Sequence, residues 1–387
     1  MADKRNLGTV LVTGGTGWLG SHIVQSLLAD QSFNSVVSTV EPGETENVHN
    51  RIPGATYHEC ALSDLSQFTK LLSTIQPRTI IHTVSTDFFS ADEAHYRITY
   101  HQSKRIITAA RQHASVQALV YTSTCEVLAL KPSHNTHPVH EDEVPTYTLK
   151  SGPHAYARTK SAIDALVRQL NTREALHNTS GDFTDQLLTA VLRTAGLYGP
   201  DSSTIRAMLE RVNTPNTRFQ IGPNALRHDW LYVENCARAH VLAAKALLKP
   251  PNPNPGDGEE RADGQAFFLT DGKPLPFWDF VRCVWAEAGD ANWKPGGPRK
   301  VDRVVPFWLV LSVVGVIEWV YWVVTMGRVR PGVSRLTYYY IRMGCWLDIG
   351  RARRVLGYEP VVGGTEEGVR RTMEWFRGNG WDSKKEE

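Results

Sequence analysis

At 387 residues the chain is long enough for one large α/β domain or two smaller ones, with an ample core. Lys plus Arg number 42 and Asp plus Glu 40, a net charge of +2, and no basic cluster is interleaved with aromatics, which excludes a nucleic-acid binder. The five cysteines (Cys60, Cys125, Cys236, Cys283, Cys345) form no CxxC pair and read as reduced thiols of an intracellular protein.

The opening "MADKRNLGTVLVTGG" runs almost directly into a strand, so no signal peptide is expected, and the "NTS" at Asn178 then carries little weight as a glycosylation acceptor. Strand "TVLVTG" precedes helix "WLGSHIVQSLLAD". "SVVSTV" follows, then "ATYHECAL" before "SDLSQFTKLLSTIQ". "RTIIHTVS" precedes "HYRITYHQSKRIITAARQHA", "QALVYTST" precedes the loop before "YARTKSAIDALVRQL", and "QLLTAVLRTAG" closes the series. Continuous Val/Ile/Leu strands alternating with amphipathic helices predict an α/β fold, a Rossmann-type doubly wound parallel sheet. After Pro200 the rhythm breaks. "PPNPNPGDGEERADG" reads as a surface loop, "QAFFLTDG" as a late strand returning to the sheet, and "TEEGVRRTMEWFRGNG" as a terminal helix. The expected organisation is a dinucleotide-binding domain over residues 7–200, with 228–270 returning to it. A smaller C-terminal substrate-binding region comprises 201–227 and 271–387 and includes the apolar segment 304–327.

"VLVTGGTGWLGSHIV" sets Gly14, Gly17 and Gly20 at GxxGxxG spacing in the first strand-to-helix junction. Gly14 makes the tight turn, Gly17 lets backbone approach a pyrophosphate, and Gly20 permits close helix–strand packing. Gly15, Thr16, Trp18 and Leu19 complete the loop of an expected NAD or NADP site, with NAD favoured. Thr39 and Glu41, at the end of the second strand, leave the choice between them open, since no Arg follows closely enough to mark a 2′-phosphate. "HAYARTKSAIDALV" puts Tyr156 and Lys160 four apart, on one helix face. A free Tyr has a pKa of about 10, and a nearby ammonium lowers it, so the pair can move a proton to or from a substrate alcohol. Ahead of them "LVYTSTCEVL" ends a strand in hydroxyls at Thr122, Ser123 and Thr124.

Glycine loop, strand-end hydroxyl and YxxxK, in that order, resemble the extended short-chain dehydrogenase/reductases. "LRTAGLYGP" is similar to their LRPxxxYGP segment, and "RHDWLYVENCARAHVLAAKAL" to their substrate-domain strand and following helix. "GQAFFLTDGKPLPFWDFVRCVW" and "DIGRARRVLGYEPVVGGTEEGVRRTMEWF" resemble the narrower 3β-hydroxysteroid dehydrogenase and sterol 4-carboxylate 3-dehydrogenase group, so that the likeness covers roughly residues 7–377. The resemblance implies Tyr156 as acid/base and Lys160 as its partner and holder of the nicotinamide ribose. Thr124 stands where a catalytic Ser is usual, with Ser123 as second choice, and Leu62, Thr83 and Thr194 join the cofactor site. It departs from the pattern at Ala61, where an adenine-binding acid is usual and for which Asp64 is a poor substitute. It departs again at Thr99, Gln102 and Thr194, in place of Asn, Gly and Pro. The reaction implied is oxidation of the 3β-hydroxyl of a sterol, steroid or terpenoid, with decarboxylation or isomerisation following. A nucleotide-sugar epimerase or dehydratase and a non-catalytic dinucleotide sensor are the alternatives.

His134, His137 and His140 lie near Glu141 and Asp142, but the spacing reads as a polar loop and no metal is expected. Of the 11 tryptophans, Trp278, Trp285, Trp308, Trp319 and Trp322 are candidates for core packing or for the walls of a flat polycyclic ligand. In the apolar segment 304–327 only Glu318 is acidic, with Arg303, Arg328 and Arg330 at its ends. A transmembrane span and a buried soluble helix are both considered. The expectation is a segment resting on the cytosolic face of an internal membrane, the endoplasmic reticulum, beside the substrate mouth. A hydrophobic polycyclic substrate, a membrane surface and a homodimer are the expected partners.

Overall fold

The computed structural model describes residues 6–44, 50–172, 187–249, 260–326 and 335–382. Asn178, most of the Pro/Gly-rich stretch from Pro250, and Gly327, Arg328 and Arg330 lie outside the described residues. Seven strands form the central sheet: β1 (Thr9–Thr13), β2 (Ser35–Val40), β3 (Thr56–Glu59), β4 (Thr79–His82), β5 (Ala118–Thr124), β6 (Leu188–Thr194) and β7 (Gln265–Leu269). Their order is β7-β6-β5-β4-β1-β2-β3, and every pairing is parallel. The order reverses beside β1, where a doubly wound sheet opens its ligand crevice at the carboxyl ends of the strands.

The strands are almost continuously apolar because helices cover both faces. α1 (Trp18–Asp30) and α5 (Val233–Leu248) pack together on one side. α2 (Leu65–Ile75), α3 (Ser103–Gln112) and α4 (Ala155–Gln169) cover the other. A π-helical run, His95–Gln102, leads into α3 and lies against α4.

The C-terminal part has its own core, which contains Trp278 and Trp285 of α6 (Phe277–Glu287) and residues of the terminal helix α9 (Thr365–Gly378). Trp230 stacks on Phe280 with ring centroids 3.6 Å apart. Buried Asp271, just beyond β7, accepts hydrogen bonds from the Tyr198 hydroxyl, the Tyr232 amide and Asn235, which fastens this core to the sheet. The aromatic walls suggested by the sequence divide here. Trp278 and Trp285 are core residues whose indole N–H groups donate to the Ile221 and Met208 carbonyls. Trp308, Trp319 and Trp322 are 69%, 65% and 64% exposed on α7 (Phe307–Thr325).

The opening residues of the apolar segment, Arg303–Val305, pair with Phe219–Ile221, and helix starts after Pro306. Along the 19 residues of α7 only Val314 is buried, which removes the reading of a buried soluble helix. α8 (Arg335–Met343) packs back against it. Glu318, the charge that argued against lipid contact, accepts from the Arg335 guanidinium at 2.6 Å and from the Arg335 amide at 2.9 Å.

Candidate active site

The glycine loop turns where the sequence places it. Gly14 has φ +79°, which favours glycine. A Cβ on Gly20 would stand 2.0 Å from the Gly14 carbonyl oxygen, so only glycine allows α1 to approach this closely. A Cβ on Gly17 would meet nothing but that same oxygen, at 3.2 Å, and the space above it is open. Gly17 is also the N-cap of α1 and supplies no side chain to the first-turn amides, which are left to bind an anion. The residues present therefore fit a dinucleotide pyrophosphate.

Around the loop, the Gly14 and Gly15 amides donate to Thr39 and Ser38. Thr83 donates to the Thr13 carbonyl at 2.7 Å and braces the turn from below. The Trp18 indole donates to the Pro200 carbonyl, while Leu19 packs partly buried against the core. Glu41 accepts from the Leu62 amide at 3.3 Å, and Glu44 from the Thr16 hydroxyl at 3.0 Å. Asp64 caps α2 by accepting from the Ser66 and Gln67 amides and offers nothing to an adenine.

The second half of the site stands at the C-terminal end of β5. Tyr156 lies in the first turn of α4, ringed by Phe88 (5.2 Å between centroids), His95 (5.6 Å) and His154 (6.3 Å). Thr124 lies beside its hydroxyl. Desolvation raises this hydroxyl above the ordinary tyrosine range, the nearby Glu126 carboxylate adds to the rise, and Thr124 opposes it. Lys160, one turn on, is buried, and its ammonium donates to the Thr122 carbonyl at 3.0 Å. Burial brings its pKa down to about 7, with Asp164 opposing. Burial is thus the largest influence on both groups.

Ser123 does not join Tyr156. Successive residues of a strand point to opposite faces: Thr122 meets His240 of α5, whereas Ser123 donates to Asp164 of α4 at 2.9 Å. Its hydroxyl is committed there, whereas Thr124 at the strand end accepts from the Glu126 amide at 3.3 Å. Thr194, paired across the sheet with Thr124, donates to the Ser123 carbonyl. Thr99, the replacement for Asn, bonds Thr86, which bonds His95 at 2.6 Å behind Tyr156, while Gln102 ends the π-helical run. His134, His137, His140, Glu141 and Asp142 do not converge: His137 pairs with Glu143, and Glu141 accepts from the Phe268 amide.

Sequence reasoning missed Asp164, Arg193, Glu126 and His154. Asp164 continues the i, i+4 stripe of Tyr156 and Lys160 by one more step, and that spacing is the signal that would have found it. Its carboxylate receives Arg193 through Nε and Nη2, both at 2.9 Å, and Arg168 at 3.1 Å.

The sequence model of the 3-beta hydroxysteroid dehydrogenase/isomerase family matches residues 11–295. A decarboxylating sterol-4-alpha-carboxylate 3-dehydrogenase of Gibberella zeae is 30% identical over 319 residues, which cover 81% of this chain and 96% of that protein. The enzyme of the same description from Schizosaccharomyces pombe is 29% identical, over 96% of this chain and 98% of its own. Among solved structures, Thermus thermophilus UDP-glucose 4-epimerase with NAD superposes with a TM-score of 0.62. It is 21% identical, covering 96% of this chain and 99% of its own, a likeness of fold.

The Asp164 cluster has a measurable consequence. Asp164→Ala leaves the Arg193 guanidinium buried without its carboxylate and should cost about 3–5 kcal/mol. Urea unfolding checks this, and a loss below about 1 kcal/mol would mean the pair does not hold α4 to the sheet.

Proposed function

We propose that this chain, which belongs to the 3-beta hydroxysteroid dehydrogenase/isomerase family, oxidises the 3β-hydroxyl of a 4-carboxylated sterol with NAD and releases the carboxylate as CO₂. The observation that carries this reading is Tyr156 beside Thr124 and one helical turn from buried Lys160, at the sheet edge that also holds the glycine cradle. Two relatives aligned over most of the chain are described as sterol-4-alpha-carboxylate 3-dehydrogenases, decarboxylating. The likeness to an epimerase is confined to the fold.

Loop 14–20 would hold the pyrophosphate, and Lys160 the nicotinamide ribose, with Leu62, Thr83 and Thr194 along the crevice. Bound, the dinucleotide supplies the hydride acceptor. Thr124 orients the substrate oxygen and Tyr156 removes the hydroxyl proton as C3 gives up its hydride, leaving a 3-ketone. The C4–carboxylate bond then breaks. Its electron pair passes into the ketone as an enolate, CO₂ departs, and a proton adds at C4. That electron flow requires no metal, because the new carbonyl is the sink.

Glu41 and Glu44 stand at the loop's edge, where a 2′-phosphate would meet like charge, and this supports NAD over NADP. The exposed apolar face of α7, with Trp308, Trp319 and Trp322 suited to the headgroup level, supports docking on the surface of the endoplasmic reticulum membrane. The Glu318–Arg335 pair reduces the charge that such docking would bring to lipid.

Tyr156→Phe should lower turnover of a 3β-hydroxysterol by on the order of 10²–10⁴; turnover at the wild-type rate would end the assignment. Since burial raises Tyr156 above the ordinary tyrosine range, kcat/KM for oxidation should rise with pH and show no plateau by about pH 9, and ketone reduction should stay flat over that range. Gly17→Val should fold yet lose NADH binding measured by fluorescence, and wild type should prefer NAD over NADP by more than about tenfold. In a flotation assay the protein should rise with vesicles and be stripped by carbonate; resistance to carbonate would indicate a span instead.

A further inference from the structure

Between α7 and α8 lies an open groove of about 670 Å³, within the range of small-molecule sites. Gly315, Val316 and Trp319 line it from α7. From α8 come Arg335, Tyr338, Tyr339 and Arg342, spaced i, i+3, i+4, i+7 along one helix face. The two arginines differ. Arg335 is neutralised by Glu318. Arg342, about 10 Å further along the helix, makes no ion pair or hydrogen bond among the described residues.

The Arg342 end of the groove is the end nearest the chemistry. Tyr339, one turn before Arg342, bonds the Tyr147 hydroxyl at 3.2 Å and sets its ring 5.5 Å from His154. His154 in turn stacks on Tyr156. Behind Tyr339 a second cavity, lined by Glu126 and Gly344, has only about 20 Å³. That is room for about one water, so a bulky ligand has to lie in the outer groove.

We infer that this groove is the sterol-binding site and that Arg342 recognises the carboxylate of its substrate. The inference rests on the function proposed above. A carboxysterol is a large apolar body with one planar anion at one end. The groove offers an apolar wall and one unpaired guanidinium, which suits a carboxylate through paired N–H donors. C3 and C4 are adjacent atoms, so the group that holds the 4-carboxylate also aims the 3-hydroxyl at Tyr339 and the catalytic tyrosine behind it. Arg342 is thus a specificity-determining residue, and Tyr339 a wall that leaves Tyr147 as the substrate seats.

The test compares kcat/KM for a 3β-hydroxysterol carrying the 4-carboxylate with that for its counterpart lacking it. Arg342→Gln should reduce the wild-type preference for the carboxylate by about 10- to 100-fold and leave the uncarboxylated sterol within about twofold; Arg342→Lys should restore part of it. A Cβ at Gly315 meets nothing within 4 Å, so Gly315→Trp should fold, fill the groove and block both sterols with NADH affinity unchanged. A preference unaltered in Arg342→Gln, or wild-type turnover in Gly315→Trp, overturns the inference. A binding arm keeps the two readings apart: a fluorescent polyene sterol carboxylate, followed by quenching of tryptophan emission. If wild type turns over neither sterol, the proposed function fails. The groove assignment then stands if this probe binds wild type, binds Arg342→Gln more weakly and does not bind Gly315→Trp, and it falls if the probe does not bind wild type.

Discussion

The placement of Tyr156 depends on a carboxylate two turns further along its own helix. Asp164 takes Arg193 from β6, Ser123 from β5 and Arg168 from α4, which together occupy both of its oxygens. An ion pair this deep is costly to desolvate and is tolerated because the remaining polar atoms are met. Its effect is positional. It joins α4 to two neighbouring strands, and the first turn of α4 then presents Tyr156 to the last residue of β5. The same carboxylate lies near the Lys160 ammonium and opposes the loss of its proton. One anchor therefore fixes the position of Tyr156 and tunes Lys160.

A division of labour follows. The parallel sheet supplies a rigid edge with the glycine cradle on β1 and the hydroxyl on β5, on either side of β4. The C-terminal segments supply apolar surface and, within the groove, the Arg342 guanidinium, which has no ion pair among the described residues. Asp271 joins the two by accepting the Tyr232 amide, and Glu141 by accepting the Phe268 amide of β7 while facing Arg351 at 3.7 Å. Buried carboxylates that accept amides fix relative positions more strictly than apolar packing, since an unmet donor is expensive.

Features set by local rules were legible from the residues alone. The strand and helix periods, the glycine spacing and the Tyr156–Lys160 interval all depend on neighbours within a few positions. Non-local features were not. The choice between Ser123 and Thr124 turns on which one faces Asp164 and which reaches Tyr156 at the strand end, and adjacent hydroxyls look alike in sequence. Lys160 was expected to act on Tyr156, but its ammonium turns to a backbone carbonyl, an acceptor that composition cannot reveal. The tryptophans separated into core and surface only once α6 and α7 were placed: α6 has an aromatic core to join, while α7 meets little besides α8. The exposure of a helix that is apolar nearly all round is also invisible to periodicity, because a helix without a polar face gives no sign of which side is covered.

The place of α7 in the chain bears on how the protein is made. The helix begins at Phe307, after all seven strands of the sheet and after α5. During synthesis the N-terminal α/β unit can collapse while this segment is still within the ribosome, since domains fold as units in the order they emerge. The stretch with most to lose in water is thus released late, when a finished scaffold is already there to carry it. A circular permutant that moved α7 to the front would expose it for the whole of translation and invite aggregation before any core existed to hold it.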